Sequence, residues 1–349
     1  MENLMPLLSI CIPTYNRDYL IKECLNQLCP VAIKYNVNIV ISDNASPDNT
    51  EQVVKEFVKK YSNIAYYKQS ENIGPDSNYE FILQHANTKY RWLFGDSAIV
   101  TESNLIHILE KLNKNDYDLF ILGADSSAKN VRTKGVKQKL YTNHNEFFSD
   151  LGHHITWISC LIYNERVIAK ANFKKYRNTN FIHTGIILEY CCYNKFFLYY
   201  YPDIHLNTVP YERRNHWMDI AIEIFCKRWF IFIMSLPALY DDKLKEKVLI
   251  DHGIRAQLFT LPCIISFRMH NVFNLIVLTQ YRYYISKTIK YPFFILYLIS
   301  IFPRWFLMIG WVILFIPNML AKVLKSLHET GLSNTIRKIR SKITRKKIR

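Results

Sequence analysis

The sequence has no Cys-X-X-Cys pair and no His/Cys spacing of a metal centre, although it carries eight cysteines. Cys11, Cys24, Cys29, Cys160, Cys191, Cys192, Cys226 and Cys263 lie mostly inside apolar segments and read as small core residues of a reducing compartment. No G-x-G-x-x-G follows the first apolar run and no G-x-x-x-x-G-K-[ST] occurs, so dinucleotide and P-loop readings lose their main support. The start of the chain lacks a basic segment, and its apolar stretch stops at Pro13; it reads as a first strand, not a signal peptide. The expectation is a protein that stays in the cytoplasm. Acidic residues are scarce at the other end. Lys and Arg number 45 against 29 Asp and Glu, a net charge of +16, and residues 321–349 hold ten of the basic residues and one Glu. A nucleic-acid-binding protein more often carries such charge on its folded domain.

What is present is a sizeable core and a β/α alternation. Half of the 349 residues are hydrophobic, enough for one large or two ordinary domains. The run 7–12 closes at Pro13-Thr14-Tyr15-Asn16-Arg17, and Leu20, Ile21, Cys24, Leu25 and Leu28 follow at helical spacing. A second run, 37–42, ends at Asp43-Asn44-Ala45-Ser46, with Pro47 suited to a first helical position behind a Ser46 cap. Val53, Val54, Phe57, Val58 and Tyr61 give the next helix an apolar face. A third strand at 64–67 leads through Asn72-Ile73-Gly74-Pro75 into a helix, and a fourth, Tyr90–Phe94, stops at Gly95-Asp96-Ser97. Thr101 caps a helix through Leu112, and 118–122 is a fifth strand. Alternating elements with short links predict a mainly parallel sheet covered on both faces, with ligand sites at the carboxyl ends of its strands. Three polar clusters, Thr14–Arg17, Asp43–Ser46 and Gly95–Ser97, fall at such ends, which favours one shared ligand over three unrelated turns. Asp96 alone reads either as a turn cap or as a carboxylate holding a divalent ion on a phosphorylated ligand.

The segments LSICIPTYNR at 8–17, VISDNASPDNT at 40–50, NIGPDSN at 72–78 and WLFGDS at 92–97 make the chain resemble family 2 glycosyltransferases of the GT-A fold. The likeness extends to bacterial O-antigen sugar transferases of the abequosyltransferase type. It is strong over roughly the first 125 residues and weak over 150–217. The resemblance implies an α/β GT-A domain over 1–217, with a nucleotide-sugar-binding half (1–125) and an acceptor half (126–217). It implies that Thr14, Tyr15 and Arg17 line base and ribose, that Asp43 accepts a hydrogen bond from the nucleoside, and that the Asn72–Asn78 loop floors the site. Pro13, Asn44 and Gly95 complete that set. Asp96 matches the carboxylate of the family's D-x-D metal motif, but Ser97 and Ala98 stand where further acids are common. One carboxylate is compatible with Mg²⁺ or Mn²⁺ whose shell is filled by waters and diphosphate oxygens.

Between 124 and 141 the chain is polar and basic, with Lys129, Arg132, Lys134, Lys137 and Lys139; this is either a loop that attracts diphosphates or a solvated surface loop. Residues 155–163 look like a buried strand. Similar enzymes carry an acid near 180–190 that deprotonates the acceptor hydroxyl; this chain has His183 there, and Glu189 six residues on. A histidine suits general-base work near neutral pH, though one flanked by Phe181 and Ile186 also suits a core. At 212–217 the resemblance implies a loop that closes over the diphosphate, with His216 as a second metal ligand; Arg213 and Arg214 read as stabilisers of the leaving diphosphate or as a surface ion-pair patch.

Residues 218–336 read as a helical region, with 219–240 and 244–290 rich in apolar residues. The runs 293–302 and 305–316 are split by Pro303-Arg304 and ended by Pro317, and each is too short to span a bilayer. They read as in-plane or re-entrant helices over 292–320, or as core helices. The tail 337–349 has eight Lys/Arg and no acid, which beside apolar helices points to anionic membrane lipid.

These observations together predict a metal-assisted transferase at the cytoplasmic face of the inner membrane, peripheral or monotopic. It would take a nucleoside-diphosphate sugar as donor and a polyprenyl-diphosphate-linked oligosaccharide as acceptor, with no nucleic-acid partner. Two other readings are an inactive GT-A binding protein, suggested by Ser97, and a nucleic-acid-binding protein, suggested by charge alone.

Overall fold

The computed structural model describes residues 6–124, 132–209 and 216–308. The elements in chain order are β1 (Leu8–Thr14), α1 (Asp18–Lys34), β2 (Asn38–Asp43), α2 (Thr50–Lys60), β3 (Ile64–Lys68), α3 (Gly74–His85), β4 (Tyr90–Leu93), β5 (Ala98–Ile99) and α4 (Glu102–Lys114). Then come β6 (Leu119–Leu122), β7 (Lys139–Tyr141), α5 (His144–Leu151), β8 (Leu161–Asn164), α6 (Glu165–Ala169), α7 (Phe173–Tyr176), α8 (Ile182–Tyr193), β9 (Leu198–Tyr201) and β10 (Asn207–Thr208). Helices α9 (Trp229–Met234), α10 (Asp242–Arg255), α11 (Leu261–Met269), α12 (Leu275–Gln280), α13 (Arg282–Thr288) and α14 (Phe293–Ile301) follow.

Eight strands form one sheet in the order β3-β2-β1-β4-β8-β6-β9-β7. The first four are mutually parallel, with β1 between β2 and β4. β8 runs antiparallel to both β4 and β6, and the parallel direction returns between β6 and β9. Every residue of β1 is buried, as are Ile39–Asp43 of β2, which is why both read as continuous apolar runs. α1 contributes Leu20, Ile21, Cys24, Leu25, Leu28, Cys29 and Ala32 at i, i+3/i+4 spacing to the layer above. All eight cysteines are unpaired thiols, and six of them are buried.

Several local expectations are corrected. α2 starts at Thr50, so Pro47 is not its first residue and Ser46 does not cap it: Asp48 accepts from the Thr50 amide at 3.1 Å, while the Ser46 hydroxyl is taken by the Asn16 amide at 2.8 Å. The apolar stretch 155–163 is only half strand. Ile158–Cys160 is a short 3₁₀ turn, apolar because it packs under β4, where Ser159 accepts from the Trp92 indole at 2.8 Å. Residues 219–240 are not one regular helix: a 3₁₀ turn over His216–Ile220 and a π-helical stretch over Glu223–Arg228 precede α9. The Thr101 cap of α4 is present, accepting from the Asn104 amide.

The chain divides into two compact units. One comprises residues 1–260 and 279–291, the other 261–278 and 292–349. The first unit therefore continues past 217, since α10, α13 and the π-helical stretch pack together within it. In the second unit, α11 packs on α14, and Arg304 Nε donates to the Met269 carbonyl at 3.1 Å. Phe294, Leu298, Trp305 and Phe306 of this unit are each more than half exposed. No helix among the described residues is long and apolar enough to cross a membrane. The expected second apolar helix from residue 309 onward and the basic tail 337–349 lie outside the described residues.

Candidate active site

Three loops at the carboxyl ends of β1, β2 and β4 meet, and their side chains are tied to one another. The Asn44 amide donates to the Thr14 carbonyl at 3.0 Å, and the Asn16 amide reaches Ser46 in the next loop. Asn16 and Ala45 have φ of 54° and 59°, a left-handed conformation that costs free energy for residues with a Cβ and turns both loops sharply. Asp43 is fully buried. Its Oδ1 accepts from the Ser46 amide at 2.9 Å and its Oδ2 from the Tyr66 hydroxyl at 2.9 Å, so the carboxylate is fixed in orientation.

The Asn72–Asn78 segment packs against the same corner. Asn44 Nδ2 donates to Asn72 Oδ1 at 2.9 Å, and its Oδ1 accepts from the Ile73 amide at 2.9 Å. Gly74, with φ of 79°, makes the turn into α3 that an L side chain would strain. Asn78 is buried and paired with Ser42 of β2, through Ser42 Oγ at 2.5 Å and the Ser42 carbonyl at 3.2 Å. It works as a floor beam and is not itself exposed.

Asp96 sits just past β4, only 6% exposed. Thr14 Oγ1 donates to its Oδ2 at 3.0 Å, and Arg17 Nη1 donates to its Oδ1 at 3.1 Å. Burial raises its pKa, and Arg17 and Thr14 oppose that shift. Ser159 braces the turn by accepting from the Gly95 amide at 3.1 Å. Thr14, Arg17, Asp43, Asn44, Asn72, Asn78 and Asp96 are thus gathered at one edge of the sheet, with Tyr15 beside them 40% exposed. Pro13, within β1, is buried in register with Ser42.

The acceptor-side candidates are placed differently. His183 is 3% exposed on α8, its Nε2 against the Thr156 carbonyl at 3.1 Å and its ring edge-on to Tyr79. Burial lowers its pKa to about 4. His183 Nδ1 is buried with no hydrogen-bond partner, so the ring has one nitrogen against the Thr156 carbonyl and one unclaimed. Glu189 lies near the other end of α8, ion-paired to Lys175 at 3.1 Å. Arg213 and Arg214 lie outside the described residues, as does the side chain of His216. A carboxylate that sequence reasoning missed stands near the start of α8: Asp76 of α3, 4% exposed, accepts from the amides of Asn180 at 2.8 Å and Ile182 at 3.3 Å. Burial pushes its pKa up to about 6. Nothing local marks it, because its partners lie more than a hundred residues away.

Whether these residues fit a divalent cation follows from the donor set. No cluster of three His, Cys, Asp or Glu able to hold a metal exists among the described residues. Asp96 fits as one carboxylate ligand of an ion that draws its remaining ligands from a diphosphate and water, as Mg²⁺ commonly does.

A parallel β3-β2-β1-β4 core, with its polar loops at the strand ends and an antiparallel β8 beside β4, is a GT-A-like α/β fold. It is similar to that of S. aureus TarS in complex with UDP-GlcNAc (TM-score 0.53, 15% identity, 80% of this chain and 81% of that one). It is also similar to a mannosyltransferase from Pyrobaculum calidifontis in complex with GDP-Man and Mn²⁺ (TM-score 0.51, 14% identity, 82% and 86%). Residues 9–173 match the family described as Glycosyl transferase family 2, and the chain carries a family 2 glycosyltransferase domain. Among curated proteins it is 38% identical over 119 residues to abequosyltransferase RfbV of Salmonella typhimurium, covering 33% of this chain and 35% of that protein. It is 27% identical over 117 residues to a Campylobacter jejuni GalNAc(5)-diNAcBac-PP-undecaprenol beta-1,3-glucosyltransferase, covering 33% and 38%. The matched segments thus span little more than a third of these relatives.

Proposed function

We propose that the protein transfers a sugar from a nucleoside-diphosphate sugar to a hydroxyl of a lipid-linked glycan during assembly of an O-antigen or related surface polysaccharide. The observation that carries this reading is the convergence of Thr14, Arg17, Asp43 and Asp96 at the carboxyl ends of β1, β2 and β4 within a family 2 domain. Asp43, locked by Ser46 and Tyr66, orients the nucleoside, and Asn44 and Asn72 hold the neighbouring loops in place; both act through positioning. Asp96 and Arg17 face the diphosphate. A divalent cation held by Asp96 supplies Lewis-acid stabilisation of the leaving diphosphate. Arg213 and Arg214 remain candidates for neutralising the same charge.

The acceptor part rests on the names of relatives and on the aromatic face of the second unit. Trp305, next to Arg304 in the chain, and Phe294 are exposed there, a composition suited to an anionic membrane interface. The protein then works peripherally at the cytoplasmic face of the inner membrane.

The test is a panel of nucleotide sugars assayed for nucleotide release, with and without EDTA, for the wild type and Asp96→Ala. Release from one donor, lost in the variant, supports the reading; no release from any donor under any metal condition sinks it. Sedimentation with vesicles rich in phosphatidylglycerol, but not with phosphatidylcholine vesicles, is the expected membrane result.

A further inference from the structure

The Asp96 carboxylate is committed on both oxygens, to Thr14 on Oδ2 and to Arg17 on Oδ1. The two ends of the ion pair are unequally exposed, with 28% of the Arg17 side chain accessible against 8% for Asp96. Arg17 is therefore the more exposed partner of the pair. Where a D-x-D motif offers two or three acids, one can keep an arginine while another takes a metal. Here Ser97 and Ala98 follow, so a single buried carboxylate must serve both. A guanidinium and a dication drawn to one carboxylate repel each other at this range, so with no further negative charge nearby each weakens the other's hold on it.

A nucleoside diphosphate resolves the conflict. Its phosphate oxygens offer the planar Arg17 guanidinium a bidentate partner of higher charge than the carboxylate, and they offer the dication the ligands that Asp96 alone does not. Arg17 immediately precedes α1, in the loop after β1, and its side chain is partly exposed. We propose that Arg17 and the divalent cation are alternative partners of Asp96, and that Arg17 passes to the donor diphosphate as the cation takes its place, so that the cation is captured only together with the nucleotide. This rests on the donor site proposed above and assigns Arg17 to the diphosphate; lining base and ribose was the role the resemblance implied.

The experiment is titration of the full-length protein with Mn²⁺, followed by electron spin resonance, alone and with UDP, GDP, CDP or dTDP. The wild type is expected to take up Mn²⁺ only weakly without nucleotide. Arg17→Gln removes the competing charge and is expected to tighten nucleotide-free Mn²⁺ binding about tenfold or more, which corresponds to about 1.4 kcal/mol. The same variant is expected to weaken nucleotide binding measured by calorimetry without metal. Arg17→Lys, which keeps the charge, should stay near the wild type in nucleotide-free Mn²⁺ uptake, and Asp96→Asn should lose uptake in both conditions. Circular dichroism of each variant verifies folding. An Arg17→Gln protein with unchanged nucleotide-free Mn²⁺ affinity overturns the proposal; if the wild type still takes up Mn²⁺ with one nucleotide, the donor reading survives. Failure of the wild type to bind any of the nucleotides, with or without Mn²⁺, overturns both.

Discussion

At the scale of single residues, the site depends on a few buried polar groups whose partners are all accounted for. Asp96 is the most exposed to test, because a carboxamide keeps its shape and its acceptor oxygen for Thr14 while removing the charge. Asp96→Asn is expected to lower kcat on the order of 10²–10³-fold, the usual cost of deleting one charge-stabilising group at a reaction centre. Its thermal midpoint should move by only a few degrees, about the shift produced by 1 kcal/mol or less. Donor turnover unchanged in this variant would remove Asp96 from the site. The motif at 92–97 already pointed to this carboxylate, since an apolar strand ending in Gly-Asp is a local pattern. Arg17 as its partner was not legible: the two residues lie 79 positions apart, and only the β1–β4 register brings the strand ends together.

At the scale of elements, α3 and α8 pack together and are tied by buried polar contacts. Asp76 takes two amides at the start of α8. One turn on, Glu80 receives Arg177 at 2.7 and 2.6 Å, and Arg228 of the π-helical stretch reaches Asn180 at 2.6 Å. Asp76→Ala is expected to cost about 1–2 kcal/mol, the scale of a lost helix cap, whereas Asp76→Asn keeps an acceptor and should cost less. Urea unfolding of the two variants measures the difference; equal losses would mean that Asp76 does not cap α8. Within the same layer, Gly185 lets α8 lie against the Tyr176 ring, where a Cβ would come within 2.4 Å. Gly185→Ala should therefore destabilise by about 1–3 kcal/mol, seen as a lower urea midpoint with unchanged slope. The parallel strands β1, β2 and β4 were readable as apolar runs because nearly all their residues are buried, whereas β3, at the sheet edge, buries only Ile64. The 3₁₀ turn at Ile158–Cys160 and the π-helical stretch were not, because apolar content records burial and not the backbone path. The same limit hid the start of α2, where a tertiary bond from Asn16 claimed the hydroxyl that a helix cap would have used.

At the scale of the whole molecule, a group of buried histidines makes stability depend on pH. His183, His252 and Arg132 converge on Thr156: His183 Nε2 on its carbonyl, His252 Nε2 on its Oγ1 at 3.1 Å, and Arg132 Nη2 on the same oxygen at 2.5 Å. His153 Nε2 faces the Arg132 carbonyl at 2.6 Å, and His154 Nε2 the Leu122 carbonyl at 2.8 Å. Burial lowers all four histidines, His183 to about 4 and His154 to about 3, with Arg132 adding repulsion at His153, His154 and His252. A histidine whose folded pKa lies below its unfolded value contributes stability that is complete above about pH 6.5 and is lost as the pH falls toward the folded value. For His183 alone the interval corresponds to about 3 kcal/mol. Asp76 works in the opposite direction: its raised pKa favours the native state below its unfolded value, and that contribution is lost as the pH rises through about 6. Asp96, raised by burial as well, acts in the same sense as Asp76, so four lowered histidines stand against two raised carboxylates and set the sign of the net slope. Urea unfolding free energy should fall steadily from pH 6.5 to pH 4. His183→Gln, which keeps a donor for the Thr156 carbonyl but cannot take up a proton, should flatten that slope by up to about 1.4 kcal/mol per pH unit near pH 5. An unchanged slope in His183→Gln would mean that His183 is already protonated in the native protein, and its place as a neutral packing residue beside Tyr79 would fall with it.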